Sequence, residues 1–559
     1  MKKRLLALAM VGVLAFSMAA CGGDDKKASQ GSGKTIDGNE LDADQHYNTY
    51  LATEPSTLDS IKGNDTYSQA LLTNTMEPLT RLEEHDGKQE RVGAGAEKWE
   101  SNEDGTVWTF HLRDNKWSDG EPVTANDYAY GITQTLNPEA GSPNAFFITC
   151  IKNGAKVNNG EAPVEELGVK VVDEKTLEIT LEHPVPYFMA LTDTRAMYPV
   201  RQDLVEKHGE AYGAELDTLA ACGPFKMTSW THNSEIKLEK NENYWDNENV
   251  NLQTVNYQII SDENAVFNSF DSGSLDFCSV GSQEWMDRFD KKEGVERQDN
   301  ISPSIRYDFF NTKDALFSNI NIRRAVTLAV DREDMVKTIY QDAHYPAYSW
   351  VPSSVSTGEL GEYRAQVDEP LKAYADEDPK ALFLKGMEEL GLGSDPSKVT
   401  IKYSLSATTQ WAKNYGEYCQ QMLQNALGCK IELDFNEWGT FQQKTNNGEF
   451  QMANMIWSID YNDPMAMLEV LKTGANSIPT FWENETYDSL VNQAGKEMDE
   501  AKRVALYAEA EKVLFDEGCM ICPLVNEGAH QFYYGYVKNL NTMPSTTSGL
   551  KYIYTSGRK

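Results

Sequence analysis

The chain has 559 residues, 40% of them hydrophobic, with 27 tyrosines and 11 tryptophans, and a formal charge of −35. That aromatic content supports large packed cores and excludes a disordered chain. So acidic a surface excludes a nucleic-acid binder, which needs basic patches.

The first segment, MKKRLLALAMVGVLAFSMAAC, sets Lys2, Lys3 and Arg4 before an apolar run from Leu5 to Phe16, with Ala19 and Ala20 just ahead of Cys21. A basic start, a short apolar core and small residues predict a secretory signal over 1–20; the run is too short for a stable membrane span. Cys21 in that setting resembles a lipobox cysteine, which implies cleavage before it and a lipid on its sulfur. The Gly/Ser-rich stretch that follows predicts a flexible tether over 21–40. No later run approaches ~18 apolar residues, so no other membrane span is expected. About 520 residues remain, room for two or three domains of roughly 100–200 each.

Strand-like and helix-like patterns then interleave, predicting an α/β architecture. Val107–Leu112, Leu177–Leu181 and Val399–Leu405 alternate as strands do. Asn321–Tyr340 carries Ile322, Val326, Val330 and Ile339 near a 3.6 period and predicts one helix, and Glu485–Phe515 predicts a long helical region. Turn clusters punctuate the first third, at Asp119-Gly120 and Pro138–Pro143. No internal repeat is visible, and no long linker after residue 40 marks a simple domain cut, which predicts domains that exchange strands.

Local signatures of catalysis are absent. The nucleophile elbow, the P-loop, the H-E-x-x-H zinc helix and the dinucleotide fingerprint are all missing, and no two of the eight histidines fall within one helical turn. No cofactor or metal is expected. Beyond Cys21 the seven cysteines are odd in number, so at least one stays unpaired. Cys519-Met-Ile-Cys522 has the spacing of a redox or zinc half-site, but it opens the apolar run CMICPLV and has no second pair; buried structural cysteines are the expected reading.

Four blocks in order carry a resemblance: Ala96–Gly131 (AEKWESNEDGTVWTFHLRDNKWSDGEPVTANDYAYG), His183–Phe188 (HPVPYF), Lys240–Asn247 (KNENYWDN) and Asn321–Glu333 (NIRRAVTLAVDRE). They resemble the peptide- and nickel-binding family of solute receptors that serve ABC importers, and the likeness covers nearly the whole mature chain. It implies a two-lobed periplasmic-binding-protein-like fold of type II, with a hinge and an extra domain on the first lobe. The implied division is 41–66, 191–303 and 529–559 for the first lobe, 67–190 for the extra domain and 304–528 for the second lobe.

Within that family, EWGTF…WSIDYNDP (from Glu437 to Pro464) is most similar to the oligopeptide-binding branch. The resemblance implies that Asp460 binds the peptide's α-ammonium group and that Trp438 and Trp457 wall side-chain pockets. Tyr130 and Tyr307 match further pocket tyrosines, and Glu54 falls in a segment that runs near the ligand. Independently of any likeness, a receptor for many sequences must grip what all peptides share. Strand-like pairing along Met455–Ser458, with Ile456 and Ser458 presented to the ligand, would supply amide contacts, and an acid would fix the ammonium end. Two basic positions that meet the carboxyl end of short peptides in the enteric type are Thr445 and Asn454 here, which implies that the carboxyl end is held elsewhere or left in solvent and sets no short limit on peptide length. The disulfide pair of that type falls on Ser304 and Ser458, consistent with a retained contact.

The expected protein is a monomeric, lipid-anchored extracytoplasmic receptor with two partners, an oligopeptide and an ABC permease. Dipeptides, nickel chelates or another small solute on the same scaffold form the alternative within the class. A surface lipoprotein with chaperone or adhesive duty is the alternative outside it.

Overall fold

The computed structural model describes residues 31–85, 88–459, 461–475, 477–541 and 549–558. The expected signal, Cys21 and Asp460 lie outside the described residues. The described residues form an α/β protein built on three principal sheets. A four-stranded sheet runs Phe225–Thr231, Glu235–Lys240, Thr254–Ile259, His46–Leu51, closed by a parallel pair between the last two. A second, wholly antiparallel sheet runs Ala96–Ser101, Val107–Leu112, Thr176–Thr180, Val169–Asp173. It lies within the expected extra-domain range.

The third sheet has seven strands. Its path is Phe277–Ser279, Ile521–Tyr534, Val295–Phe310, Met452–Ser458, Thr400–Leu405, Lys430–Phe435, with Tyr345–Pro346 added beside Ile521–Tyr534. Two of its strands are long: Val295–Phe310 spans 16 residues and Ile521–Tyr534 spans 14. The expected borders at 303/304 and 528/529 fall inside these two strands. Their pairing is interrupted where Ile301 faces Gly528 and Ile305 faces Asn526. Ser302, Pro303 and Ser304 therefore oppose Glu527 alone, a bulge that bends the pair and re-aims the side chains around it.

The alternation of Val295–Phe310 separates two cores. Ile305, Tyr307 and Phe309 point into one apolar cluster and Phe310 into another, which also takes Met452, Tyr403 and the inner face of the helix Gln410–Leu427. That helix begins at Thr409, whose hydroxyl accepts from Ala412 N–H at 3.2 Å, and ends on Gly428 in the left-handed region. It lies close on the sheet because Gly416 has no side chain: a Cβ there would meet Leu405 Cδ1 at 2.6 Å.

Two expected helices are shorter than their patterns predict. Asn321–Tyr340 divides into Ile320–Leu328 and Arg332–Thr338, because Asp331 caps the second piece by accepting from Asp334 N–H at 3.0 Å. Glu485–Phe515 likewise divides into Glu485–Ala494 and Glu500–Val513, where the Asp499 carboxylate accepts from Lys502 N–H at 3.0 Å. All seven cysteines after Cys21 are free thiols. Cys519 and Cys522 are buried beside Thr327, the structural role expected. No helix of the described residues is long and apolar enough to cross a membrane.

Candidate functional site

The strand Met452–Ser458 passes from core to surface along its length. Met452, Ala453 and Asn454 are buried, and from Met455 onward burial alternates until Ile456 is 41% exposed. It pairs antiparallel with Val295–Phe310, placing Ser304 opposite Ser458, Tyr307 opposite Met455 and Arg306 opposite Ile456. Directly opposed residues leave an antiparallel pair on the same face. One face therefore carries Ser304, Arg306 and Asp308 with Asn454, Ile456 and Ser458. The serine hydroxyls meet at 2.7 Å, so the contact expected of these two positions exists as a hydrogen bond.

Trp438 opens the helix Trp438–Asn446, is 48% exposed and stacks on buried Phe441 with centroids 5.8 Å apart. Trp457 lies on the opposite face of the strand from Ile456; its ring is half-buried against the larger core and its Nε1 is buried without a hydrogen-bond partner. Tyr307 is placed differently from the expected pocket wall. The period of two that puts Ile305 and Phe309 inside puts Tyr307 there too, fully buried with its ring edge-on to Trp350 at 4.9 Å. Burial pushes its hydroxyl well above the ordinary tyrosine range.

Tyr130 sits on the helix Ala125–Leu136, fixed at its start by the Asp127 carboxylate, which accepts from Thr124 N–H at 2.7 Å. Tyr128, two residues earlier and so on the other side of the helix, is in the core and donates to Glu77 O at 2.9 Å. Tyr130 is half-buried in a small satellite cluster with Ile61, Val200 and Tyr212.

Glu54 is fully engaged. Its Oε1 accepts from Trp230 Nε1 at 2.7 Å and lies 2.7 Å from His232 Nδ1, while Oε2 accepts from Asn233 N–H at 2.7 Å. The carboxylate ties the segment after His46–Leu51 to the tip of the Phe225–Lys240 hairpin. His232 is held above the ordinary histidine range, first by its hydrogen bond to Glu54 and next by Glu215.

Thr445 and Asn454 hold no charge, and the structure shows what they do instead. The Thr445 hydroxyl donates back to Phe441 O at 3.0 Å within its helix. Asn454 is the hub of a buried network. Its amide nitrogen lies 2.8 Å from Asp308 Oδ1, 3.1 Å from Tyr307 O and 3.1 Å from Tyr415 Oη, which share its two N–H donors, and its Oδ1 accepts from Arg306 Nη1 at 3.0 Å. Tyr403 donates to the same Asp308 oxygen at 2.7 Å. Burial pushes the Asp308 carboxyl up to about 7 despite these bonds.

Sequence reasoning passed over the residues that follow and precede the expected ammonium anchor. Tyr461 stacks on Tyr187 with centroids 5.1 Å apart and planes 17° from parallel, and Asn462 donates to Gln89 Oε1 at 3.1 Å. These contacts join the second-lobe range to the extra-domain range beside the strand end. Ile459 N–H donates to Pro303 O at 3.1 Å, fastening the strand to the bulge. Arg306 was also passed over, although the alternation in SIRYDFF sets it on the face opposite Ile305 and Tyr307.

Comparison with known proteins agrees with this architecture. Residues 90–478 match bacterial extracellular solute-binding proteins, family 5, middle region. The dipeptide-binding protein DppE of Bacillus subtilis is 33% identical over 521 residues, 93% of this chain and 93% of that protein. The oligopeptide-binding protein OppA of the same organism is 33% identical over 531 residues, covering 92% and 93%. A crystal structure of the substrate-binding domain of an oligopeptide ABC transporter from Bacillus anthracis superposes with a TM-score of 0.73 at 30% identity, covering 92% of this chain and 99% of that one.

Proposed function

The chain belongs to the bacterial extracellular solute-binding proteins of family 5, and on that footing we propose that it captures oligopeptides outside the cytoplasm and delivers them to an ABC importer. The observation that carries the reading is the strand Met452–Ser458, whose last residues emerge from the core with Ile456 and Ser458 presented at the surface. An extended peptide laid along such a segment gains main-chain hydrogen bonds whatever its sequence. Asp460, two residues on, would supply the charge that fixes the ammonium end, and Trp438 would offer an apolar wall. Ligand capture is closure of two lobes about the long strands Val295–Phe310 and Ile521–Tyr534, the closed form being favoured by contacts only it makes. The ligand is bound and released unchanged. A lipid on Cys21 would hold the monomeric receptor at the membrane beside its permease.

The relatives named for dipeptides and for oligopeptides are equally similar to this chain, which favours dipeptides as the second reading. Calorimetric titration of residues 22–559, unfolded and refolded to strip carried-over ligand, with alanine peptides of two to six residues separates them. Binding that appears only at four residues or more supports the oligopeptide receptor. Binding confined to the dipeptide replaces it, and no binding at any length removes peptides as ligands.

A further inference from the structure

His530 sits where the two long strands bend. It faces Asp299 across the pair, two residues beyond the Gly528 end of the bulge. On the other side of the bulge, Tyr345–Pro346 pairs with the same strand at Asn526 and Val525. The turn before it, Tyr340–Ala343, closes with Ala343 N–H on Tyr340 O at 2.9 Å and holds Gln341 and Asp342 in the left-handed region, at φ 51° and 64°. Gln341 is not a residue that such a turn favours, yet the turn is kept, and it carries the Ala343 carbonyl onto the His530 ring. Gly528 makes room for that approach: a Cβ there would lie 2.1 Å from the same oxygen.

The ring is 3% exposed and has an acceptor at each nitrogen. Nδ1 lies 2.6 Å from Asp299 Oδ1 and Nε2 lies 2.6 Å from Ala343 O. Carboxylate and carbonyl oxygens only accept, so both bonds form only when both nitrogens carry hydrogen, in the imidazolium. Burial raises the Asp299 carboxyl, but hydrogen bonds from Arg297 and His530 outweigh it and hold the group below the ordinary carboxylate range.

Among the described residues, the other charged or titratable groups around the ring are Arg297, His344, Tyr345, Glu527 and Arg306. Arg297 Nη2 stands 3.3 Å from Nδ1 and opposes the ring's charge, but its Nε and Nη1 donate to Asp299 at 2.8 Å and Asp290 at 3.0 Å. His344 turns Nδ1 to the same Ala343 oxygen at 2.6 Å. Burial holds it below the ordinary histidine range, so it stays neutral and leaves the charge to His530. Tyr345 is half-buried near Asp299 and Arg297, its hydroxyl raised by burial. Glu527 and Arg306, 3.6 Å apart, offset each other.

We propose that His530 is a proton-dependent clasp across the hinge, tying Asp299 on one side of the bulge to Ala343 on the other. In the arrangement that it holds, the second-lobe range touches the extra-domain range, Tyr461 on Tyr187 and Asn462 on Gln89, so the clasp belongs to the closed form. A ring that gives up one proton keeps the other on Nδ1, where a carboxylate makes the stronger bond. The bond lost is then the one to Ala343, which crosses the bulge, and the lobes part more easily. Capture is favoured in an acidic setting and release in an alkaline one. The consequence for peptides rests on the receptor reading above, while the clasp itself does not.

Calorimetric titration of residues 22–559 with one pentapeptide, from about pH 5.5 to about pH 8.5 across the histidine range and in buffers of different ionisation enthalpy, tests this. Wild-type affinity should fall about 3- to 10-fold as pH rises, the worth of one hydrogen bond, and binding near neutrality should take up a fraction of a proton. In His530→Gln that fall and that uptake should vanish. Asp299→Asn is the second variant, and serves should the first fail to fold. Its amide can donate to Nδ1, so a neutral ring keeps Nε2–H for Ala343 O. It should bind at alkaline pH at least as tightly as the wild type, with the slope and the uptake gone. A slope and an uptake that survive these substitutions overturn the clasp while leaving peptide binding intact. So does nitrogen-15 NMR that finds a single protonated nitrogen on the His530 ring at about pH 6. Absence of binding at every pH overturns the receptor reading, and the ring spectrum then decides the clasp by itself.

Discussion

Two charged clusters flank the sheets, one around Glu54 and one around Arg306, and they are bonded in opposite ways. Glu54 has three close partners and spends its carboxylate entirely on joining a loop to a hairpin. Arg306 makes one hydrogen bond and leaves buried donors and acceptors around it unmatched. Satisfied polar groups fix structure, whereas an unbonded buried donor carries its desolvation cost until something accepts from it. Proximity to the expected ligand path therefore does not by itself leave a residue free to bind, as the three close partners of Glu54 show.

The largest effect expected from this contrast belongs to Asp308, behind Arg306. Its folded-state carboxyl titrates near 7, above the unfolded value, so its contribution to stability is present below about pH 4 and is lost as pH rises through about 7. Asp308→Asn should flatten that part of the stability–pH curve, a change on the order of a few kcal/mol between pH 4 and 7 in urea unfolding. A curve that keeps its slope in the variant would remove Asp308 as the group responsible.

A smaller effect sharpens the other side of the comparison. Glu54→Gln should cost about 1–2 kcal/mol of stability, the worth of hydrogen bonds to a charged acceptor at a partly open site. Peptide affinity should stay as it was, and a large loss of affinity with intact stability would restore Glu54 to the ligand. Smaller again is the joint beside the strand end. Tyr187→Leu keeps apolar volume but removes the stack on Tyr461, worth ~0.5–1.5 kcal/mol. Faster peptide release in stopped-flow measurements is expected, and an unchanged rate would make the stack mere packing. The smallest is local: the His232 ring should titrate above its ordinary value by NMR and return toward it in Glu54→Gln. The tie it makes is fully present below the ordinary histidine pKa and is lost as pH rises through the raised one.

Much of this was legible from residue order. Val107–Leu112 is a strand with the boundaries its alternation predicts, because a half-buried antiparallel strand writes its pattern plainly. The apolar period runs through the breaks in the two long helical patterns and hides them; Asp331 and Asp499 make them, since an aspartate before a new run accepts from the free N–H groups of a first turn. Tyr307 shows the opposite case. The resemblance implies a pocket wall there, whereas the period of two that buries Ile305 and Phe309 also buries Tyr307. Arg306 was visible by the same alternation, but its surroundings were not. Its neighbours Asn454, Trp411, Tyr340 and Glu527 come from four separate segments, and only the fold assembles them.

The proposed receptor holds a peptide by its free amino end next to the exposed half of Met452–Ser458. The direct test is a double-mutant-style cycle: wild type and Asp460→Asn, each titrated with one pentapeptide bearing a free and an acetylated N-terminus. Acetylation should cost the wild type ~3–5 kcal/mol, the penalty for leaving one partner of an enclosed ion pair alone, and should cost Asp460→Asn almost nothing further. Equal affinity of the wild type for the two peptides would contradict it.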